Sequence, residues 1–351
     1  YQEKKADNHV FCFTKSKGSG NTVSKYSHIA DITSIDPKKP FNQNNIIQVK
    51  VQSKRSHYGG HLLRISLKSL KKDIPVMLIF KAFSIISDKS ILEHIVHDVT
   101  DEQNLAIMQF LRPSLEEVNS IQNPEEALTI IAEDFNLKNM FNLNDKVRYE
   151  NVYRNLVNEL FPHICADATD LGFDMVDKLY YLGYTINRLV LQVLEKLPLD
   201  DRDSFINKRI ENSCDLITGL YRNNLAKMIR DLSRKIQKEI RNGRIEEIHT
   251  HLQKDARSPN IDSGIKYAFS TGNWGPKNQQ NKSGVSQVLQ RKSNTDTVSN
   301  KRRIVNPMNK QSKQYEPRKL HSTSWGYIDP SETPEGSNVG IVKNLALTAF
   351  I

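Results

Sequence analysis

The last fifty residues constrain this chain more than any other stretch. From Arg302 they read RRIVNPMNKQSKQYEPRKLHSTSWGYIDPSETPEGSNVGIVKNLALTAFI, with prolines at 307, 317, 330 and 334 and glycines at 326, 336 and 340. Proline fixes φ and glycine permits φ > 0, so the pattern predicts successive tight turns and not long helices or strands. A segment with so many specified backbone angles is expected to hold side chains against something.

The charge says what that something is. The net charge of +10 is carried by the stretch from Lys266 to Ser322, where twelve Lys and Arg face only Asp296 and Glu316. A local excess of this size indicates a polyanionic partner; the bland alternative is a solvated basic linker. The upstream chain is balanced, and at 351 residues and 38% hydrophobic it is long enough for two or three units with a buried core. No run approaches the roughly 18 apolar residues of a membrane span, and no signal-peptide pattern is present. Cys12, Cys165 and Cys214 are far apart and form no CxxC pair, which argues against a zinc site and for a reducing compartment. The start at Tyr1 and the apolar finish at Ile341–Ile351 read as cuts within a longer protein.

In chain order, HVFCFT (9–14), YSHIADIT (26–33), NIIQVKV (45–51), HLLRISL (61–67) and IPVMLIFKAF (74–83) predict short strands of an antiparallel sheet separated by turns. Residues 88–197 predict helices, with Thr100–Gln103 as a capping box and Asn123–Pro124 as a second helix start. Val176, Leu179, Tyr180, Gly183, Ile186, Leu189, Val190, Val193, Leu194 and Leu197 form one apolar face expected to be core. The acidic run DDRDSFINKR (200–209) is expected to be a charged hinge, with acids at a helix N-terminus and Arg202 and Lys208 as their partners rather than a metal site. Apolar positions from Ile206 to Ile240 predict one long amphipathic helix ending at Asn242–Gly243, its other face basic. The polar loop 271–284 lacks the Gly-Lys-Ser/Thr ending of a nucleotide-binding loop.

Several blocks then stand in one order: KYAFSTGNWG, GVSQVLQR, PRKLHSTSWG, SETPEG and GIVKNLAL, with SHIADI, KKDIPVMLIFKAFSIISDKSILEHI and LGYTINRLVL upstream. Together they resemble the second-largest subunit of multisubunit DNA-directed RNA polymerases, in its eukaryotic, archaeal and large-DNA-virus branch, over almost the whole chain. The resemblance implies an α+β chain: a mixed lobe-like domain at 1–200, the second half of a protrusion-like domain at 201–268, and a loop-rich fork at 269–351. Fork loops fall at about 274–283 and 306–316. It implies contact with the RNA–DNA hybrid and the downstream edge of the bubble through Gln287, Arg291, Arg302, Arg303, Arg318 and Asn338, and His321, Pro334 and Glu335 in support of the active centre. Carboxamides suit sugar and phosphate oxygens, and guanidinium suits phosphate. For His321, Glu335 and Arg318 the alternative is that they pin the turns together.

The family's catalytic aspartates lie in the largest subunit, so no catalytic or metal-binding residue is expected here. The complete enzyme is expected to use Mg2+, with Zn2+ elsewhere. Implied partners are the largest and smaller polymerase subunits, template DNA and nascent RNA, with no membrane, in the nucleus or in a viral factory or virion. The sequence departs from the family pattern at Asp329, where a cysteine is usual, and in both fork loops. A second reading is a standalone basic nucleic-acid-binding module derived from the same family.

Overall fold

The computed structural model describes residues 1–14, 24–36, 44–135, 145–164, 173–243, 260–274, 284–308 and 314–350. Contacts divide them into two bodies, Asp7–Arg202 on the one hand and Tyr1–Ala6 with Asp203–Ile351 on the other. The chain is α+β in both. Most of the expected fork loops, 275–283 and 309–313, lie outside the described residues, as does Cys165.

The body 7–202 is built on an antiparallel sheet in sequential order, β2 (Val10–Thr14), β3 (Tyr26–Ser34), β4 (Asn45–Arg55), β5 (His61–Ser66) and β6 (Ile74–Pro75). Alternation drives it: Ile47, Val49 and Val51 of β4 are buried while Gln48 and Lys50 between them are only partly so. Six helices cover the sheet: α1 (Val76–Ala82), α2 (Asp88–Val96), α3 (Leu105–Glu116), α4 (Pro124–Asp134), α5 (Asp145–Glu159) and α6 (Phe173–Val193). Their apolar residues join those of the strands in one continuous core.

The stretch 74–83 is not the strand its sequence predicts. Only Ile74–Pro75 pairs, and Val76–Ala82 is a helix whose seven residues are all buried. A short run buried on every side carries no period to tell helix from strand. Its Lys81 is sealed in as well, and the ammonium donates to the carbonyls of Val118 and Ile121 at 2.8 and 2.9 Å. Burial lowers its pKa. The capping box also differs: Asp101, not Thr100, accepts the Gln103 N–H, and Thr100 turns back to Asp98. On α6, Leu179, Ile186, Leu189 and Val190 are core, but Val176 and Tyr180, and Leu197 beyond the helix end, are exposed. Gly183 lies so close to α2 that a Cβ there would sit 2.1 Å from the His94 carbonyl oxygen.

The start of the acidic run is tied into the body 7–202 by specific bonds. Asp200 accepts the Cys12 N–H at 2.8 Å and pairs with Arg188 at 2.6 Å, while the Arg202 guanidinium lies 4.2 Å over the Phe13 ring. Burial and the neighbouring Asp200 carboxylate push the Cys12 thiol up to about 12, which makes it an inert structural thiol. No helix starts at this point. A short helical turn at Phe205–Asn207 leads instead into β7 (Lys208–Glu211).

In the second body β7 begins a four-stranded sheet, ordered β7, β1 (Gln2–Lys5), β8 (Arg303–Val305) and β9 (Val342–Asn344). β1 runs antiparallel to β7 and parallel to β8, so the first six residues group with the last hundred and fifty. The long helix, α7 (Ser213–Arg241), starts after the expected Ile206, where Asn212 accepts the Asp215 N–H at 3.0 Å. It ends at Asn242–Gly243 as expected, with Gly243 at φ +73°. Much of its apolar stripe is bare: Ile217, Tyr221, Ile229 and Ile240 are 45–55% exposed. Helix α8 (Asn260–Thr271) packs beside it through Leu220, Ala268 and Trp274. Among the described residues no helix is long and apolar enough to cross a membrane.

Candidate nucleic-acid interface

The site is built where helix α9 (Asn294–Arg302) runs directly into β8. Ser293 caps the helix by accepting the Asp296 N–H at 3.1 Å, and strand geometry then sends successive side chains to opposite faces. Ile304 enters the small core of Ile304, Ile328 and Leu345. Arg303 and Val305 point the other way, beside Val342 of β9, which pairs with Val305.

The turn-rich stretch closes over that face. Gly336 and Gly340 have φ of +78° and +67°, and at Gly340 a Cβ would lie 2.1 Å from the Arg318 carbonyl oxygen, so only glycine fits. The Arg318 guanidinium donates to the carbonyls of Ser337 and Val339, both at 2.8 Å. Thr333 accepts the Gly340 N–H and donates to the Val342 carbonyl, each at 3.0 Å. The result is a cavity of about 310 Å³ lined by Gln287, Gln290, Arg303, Val305, Pro334, Asn338 and Val342.

Four of the predicted site residues, Gln287, Arg303, Pro334 and Asn338, therefore meet at one concavity. Among the described residues Arg303 is its only charged lining residue, and its guanidinium has neither a carboxylate nor a hydrogen-bond partner there. Its Nε and the Asn338 Oδ1 are buried and unpaired. Gln287 spends one donor on the Gly284 carbonyl at 3.1 Å.

The other predicted residues stand elsewhere. Arg302, next to Arg303 in sequence, is turned inward: its guanidinium donates to the Leu345 carbonyl, with Nε at 2.8 Å, and lies 3.6 Å from Asp329. Arg318 and His321 pin turns. The His321 Nδ1 accepts from the Thr323 N–H at 3.2 Å and from its hydroxyl at 2.6 Å, which places the ring proton on Nε2. Thr323 in turn accepts the Phe205 N–H at 2.9 Å. Arg291 and Glu335 are exposed and line no part of the cavity. Gln290, which does line it, was not singled out from sequence, although it repeats the Gln287 chemistry three residues on.

Behind the sheet sits an ionic cluster. Glu3, 4% exposed, accepts from Lys343 at 3.0 Å and from Asn306 at 2.9 Å, and Lys208 lies 3.7 Å away. The ring of Phe205 lies 4.9 Å from the Lys208 ammonium. Burial lowers the Lys208 pKa, and Glu3 opposes that shift. Among the described residues no group of three or more His, Cys, Asp or Glu is placed to hold a metal ion.

Comparison with known proteins gives the class. The family described as RNA polymerase Rpb2, domain 2, matches residues 6–211, and that described as RNA polymerase Rpb2, domain 3, matches 287–351. The chain belongs to the Rpb2 family, the second-largest subunits of DNA-directed RNA polymerases. It is 35% identical over its whole length to DNA-directed RNA polymerase II subunit 2 of Arabidopsis thaliana, of which it covers 28%. The corresponding values for subunit RPB2 of Schizosaccharomyces pombe are 34% identity and 27% coverage. For subunit Rpo2N of Methanococcus vannielii, identity is 31% over 99% of this chain and 62% of the relative. The chain thus spans about a quarter of the eukaryotic relatives and three-fifths of the archaeal one.

Proposed function

We propose that this chain is the part of an RNA polymerase second-largest subunit that borders the RNA–DNA hybrid and the downstream edge of the transcription bubble. The lobe-like (1–200), protrusion-like (201–268) and fork-like (269–351) segments would carry it within a complex containing the largest and smaller subunits, in the nucleus for a eukaryotic enzyme. Catalytic Mg2+ is assigned outside this chain, so the isolated chain is expected to incorporate no nucleotide with any divalent metal.

The single observation that supports the reading most strongly is Arg303. A guanidinium on a concave wall, with no carboxylate beside it among the described residues, is available to a phosphate, and Gln287 and Asn338 next to it suit sugar and phosphate oxygens. Such contacts hold a strand without reading its sequence.

The test is salt-dependent binding of the chain to a short RNA–DNA hybrid. Arg303→Ala should weaken binding uniformly across sequences and reduce the slope of log K against log salt by about 1. Arg302→Ala should leave that slope unchanged. An unchanged slope in the Arg303 variant sinks the reading.

A further inference from the structure

A second cavity, of about 400 Å³, lies wholly within the body 7–202, where α2 and the turn after it meet α6. Lys89, Glu93 and His97 stand at i, i+4 and i+8, in line along α2 and its C-terminal cap. Gly183 lets α6 come so close to α2 that Tyr180 stacks on His94, with ring centroids 4.3 Å apart and planes at 17°. The His97 ring lies 6.0 Å from the same tyrosine, at 24°. His97 is the centre of a γ-turn, with φ 66° and ψ −50°, closed by the Asp98 N–H on the Val96 carbonyl at 2.9 Å. That turn delivers Asp98 to the cavity, where Thr100 donates to its carboxylate through N–H at 2.9 Å and hydroxyl at 2.6 Å. These bonds hold the Asp98 carboxyl below its usual range.

An aromatic wall beside two carboxylates selects a cation, since the ring face is electron-rich and the acids supply the counter-charge. The surroundings reinforce that choice. From Asp88 to Glu102 the chain carries five acids and one lysine, in a protein of net charge +10. That lysine, Lys89, pairs with Glu93 only at 3.8 Å, with its side chain 77% exposed. Such a surface pair contributes little and gives way to a better partner. A guanidinium fits better than an ammonium, because it is planar, stacks on aromatic faces and is more weakly hydrated. Along α6, Val176, Tyr180 and Tyr184 repeat every four residues and are 42–46% exposed, an apolar track on the order of 12 Å long that includes the cavity's own tyrosine. The occupant is therefore a cation carried on a chain with apolar neighbours. Nucleic acid does not suit it, because the acids would repel its phosphates.

We infer that this cavity is a docking site for an arginine of a partner polypeptide. The guanidinium lies against Tyr180 and His97 and between Glu93 and Asp98, and apolar neighbours of the arginine cover Val176 and Tyr184. This contact is independent of the hybrid-binding reading and uses none of its residues.

Fluorescence anisotropy with the full chain tests it, using three labelled peptides that repeat Ala-Leu-Arg, Ala-Leu-Lys or Ala-Leu-Glu at equal length. The Arg peptide should bind about threefold more tightly than the Lys peptide, the effect of stacking on an exposed ring, and the Glu peptide should bind more weakly than either. Tyr180→Leu should make the Arg and Lys peptides equal, whereas Tyr180→Phe should keep the threefold difference. Glu93→Gln together with Asp98→Asn, both at the surface and remote from the core, should weaken the Arg and Lys peptides alike by about fivefold. Equal binding of Arg and Lys peptides by the unmodified chain overturns the proposal, because it leaves only general charge attraction. Undiminished binding of the Arg peptide by the double variant, or tighter binding of the Glu peptide, overturns it by placing the peptide elsewhere. Absence of binding by the Arg peptide also overturns it.

Discussion

The two bodies are held together by different means. Residues 7–202 share one continuous apolar core that runs from strand β2 to helix α6. Among its described residues the other body has two separate clusters of three buried residues, around Leu220 and around Ile304. With so little apolar core it leans on polar pins: Glu3 with Lys343 and Lys208, Arg302 on Leu345 and Asp329, Arg318 on Ser337 and Val339, and Thr348 on the Gly326 carbonyl. Apolar packing is strong but non-directional. Hydrogen bonds are individually modest but fix angles. The candidate interface lies in the pinned body, where the polar pins fix its carboxamides and guanidinium at defined positions around the cavity, which a small core alone would not enforce.

That contrast can be broken from either side. The largest effect is expected from Phe80→Ala, which removes a fully buried ring from the continuous core and should cost about 3–5 kcal/mol. Urea unfolding should show the loss, with hybrid affinity per folded molecule unchanged. Glu3→Ala comes next. It leaves Lys343 and Lys208 together without their carboxylate, a change worth roughly 3 kcal/mol when a buried pair is broken from one side. Replacement of Glu3 and Lys343 together by apolar residues should recover much of that loss. If the single variant unfolds no more easily than the parent, the pins do not support this body.

Gly340→Ala is smaller in energy and more specific. The residue has φ +67° and no room for a Cβ beside the Arg318 carbonyl, so the turn must shift, at about 1–3 kcal/mol. Hybrid affinity should fall with it, because the same turn carries Pro334 and Asn338. The neighbouring Arg302 and Arg303 sharpen the comparison further. Arg302→Ala should lower thermal stability by about 1–3 kcal/mol, the penalty for unpairing a buried acceptor and a carboxylate, whereas Arg303→Ala should leave stability unaltered and change only binding.

The same pair shows how far the sequence could be read. Both arginines of KRR look alike as letters, and only the strand period starting at Arg303, fixed by its pairing with Asn344, separates a pin from a ligand. The β4 alternation, the end of α7 at Gly243 and the family blocks were legible because each is a local pattern. The helix at Val76–Ala82 was not, since burial on all sides erases the period. Nor was the late start of α7, because Lys208–Glu211 pair with Gln2–Lys5 far away in the chain. Gln287, Asn338 and Pro334 were found through resemblance, and their meeting at one cavity depends on turns whose closure no local pattern encodes. The exposure of Tyr180 and Val176 likewise depends on what packs against α6.

The smallest effect concerns acid. Asp329 accepts the N–H groups of Ser331 and Glu332 at 3.0 and 3.2 Å. These backbone bonds, with Arg302 close by, hold its carboxyl below the usual carboxylate range. A carboxyl with a lowered folded pKa contributes stability that is fully present above its unfolded value, near 3.9, and is lost as pH falls through the folded one. Thermal unfolding followed from pH 7 downward should therefore show Asp329→Asn as slightly less stable than the parent at neutral pH. The difference should shrink below about pH 4 as the parent's own carboxylate is neutralised. Because the side chain is partly exposed, solvent screening keeps the gap small. A gap that widens on acidification would assign the pin to the carboxyl's neutral form, and Arg302 would then owe its inward position to the Leu345 carbonyl alone.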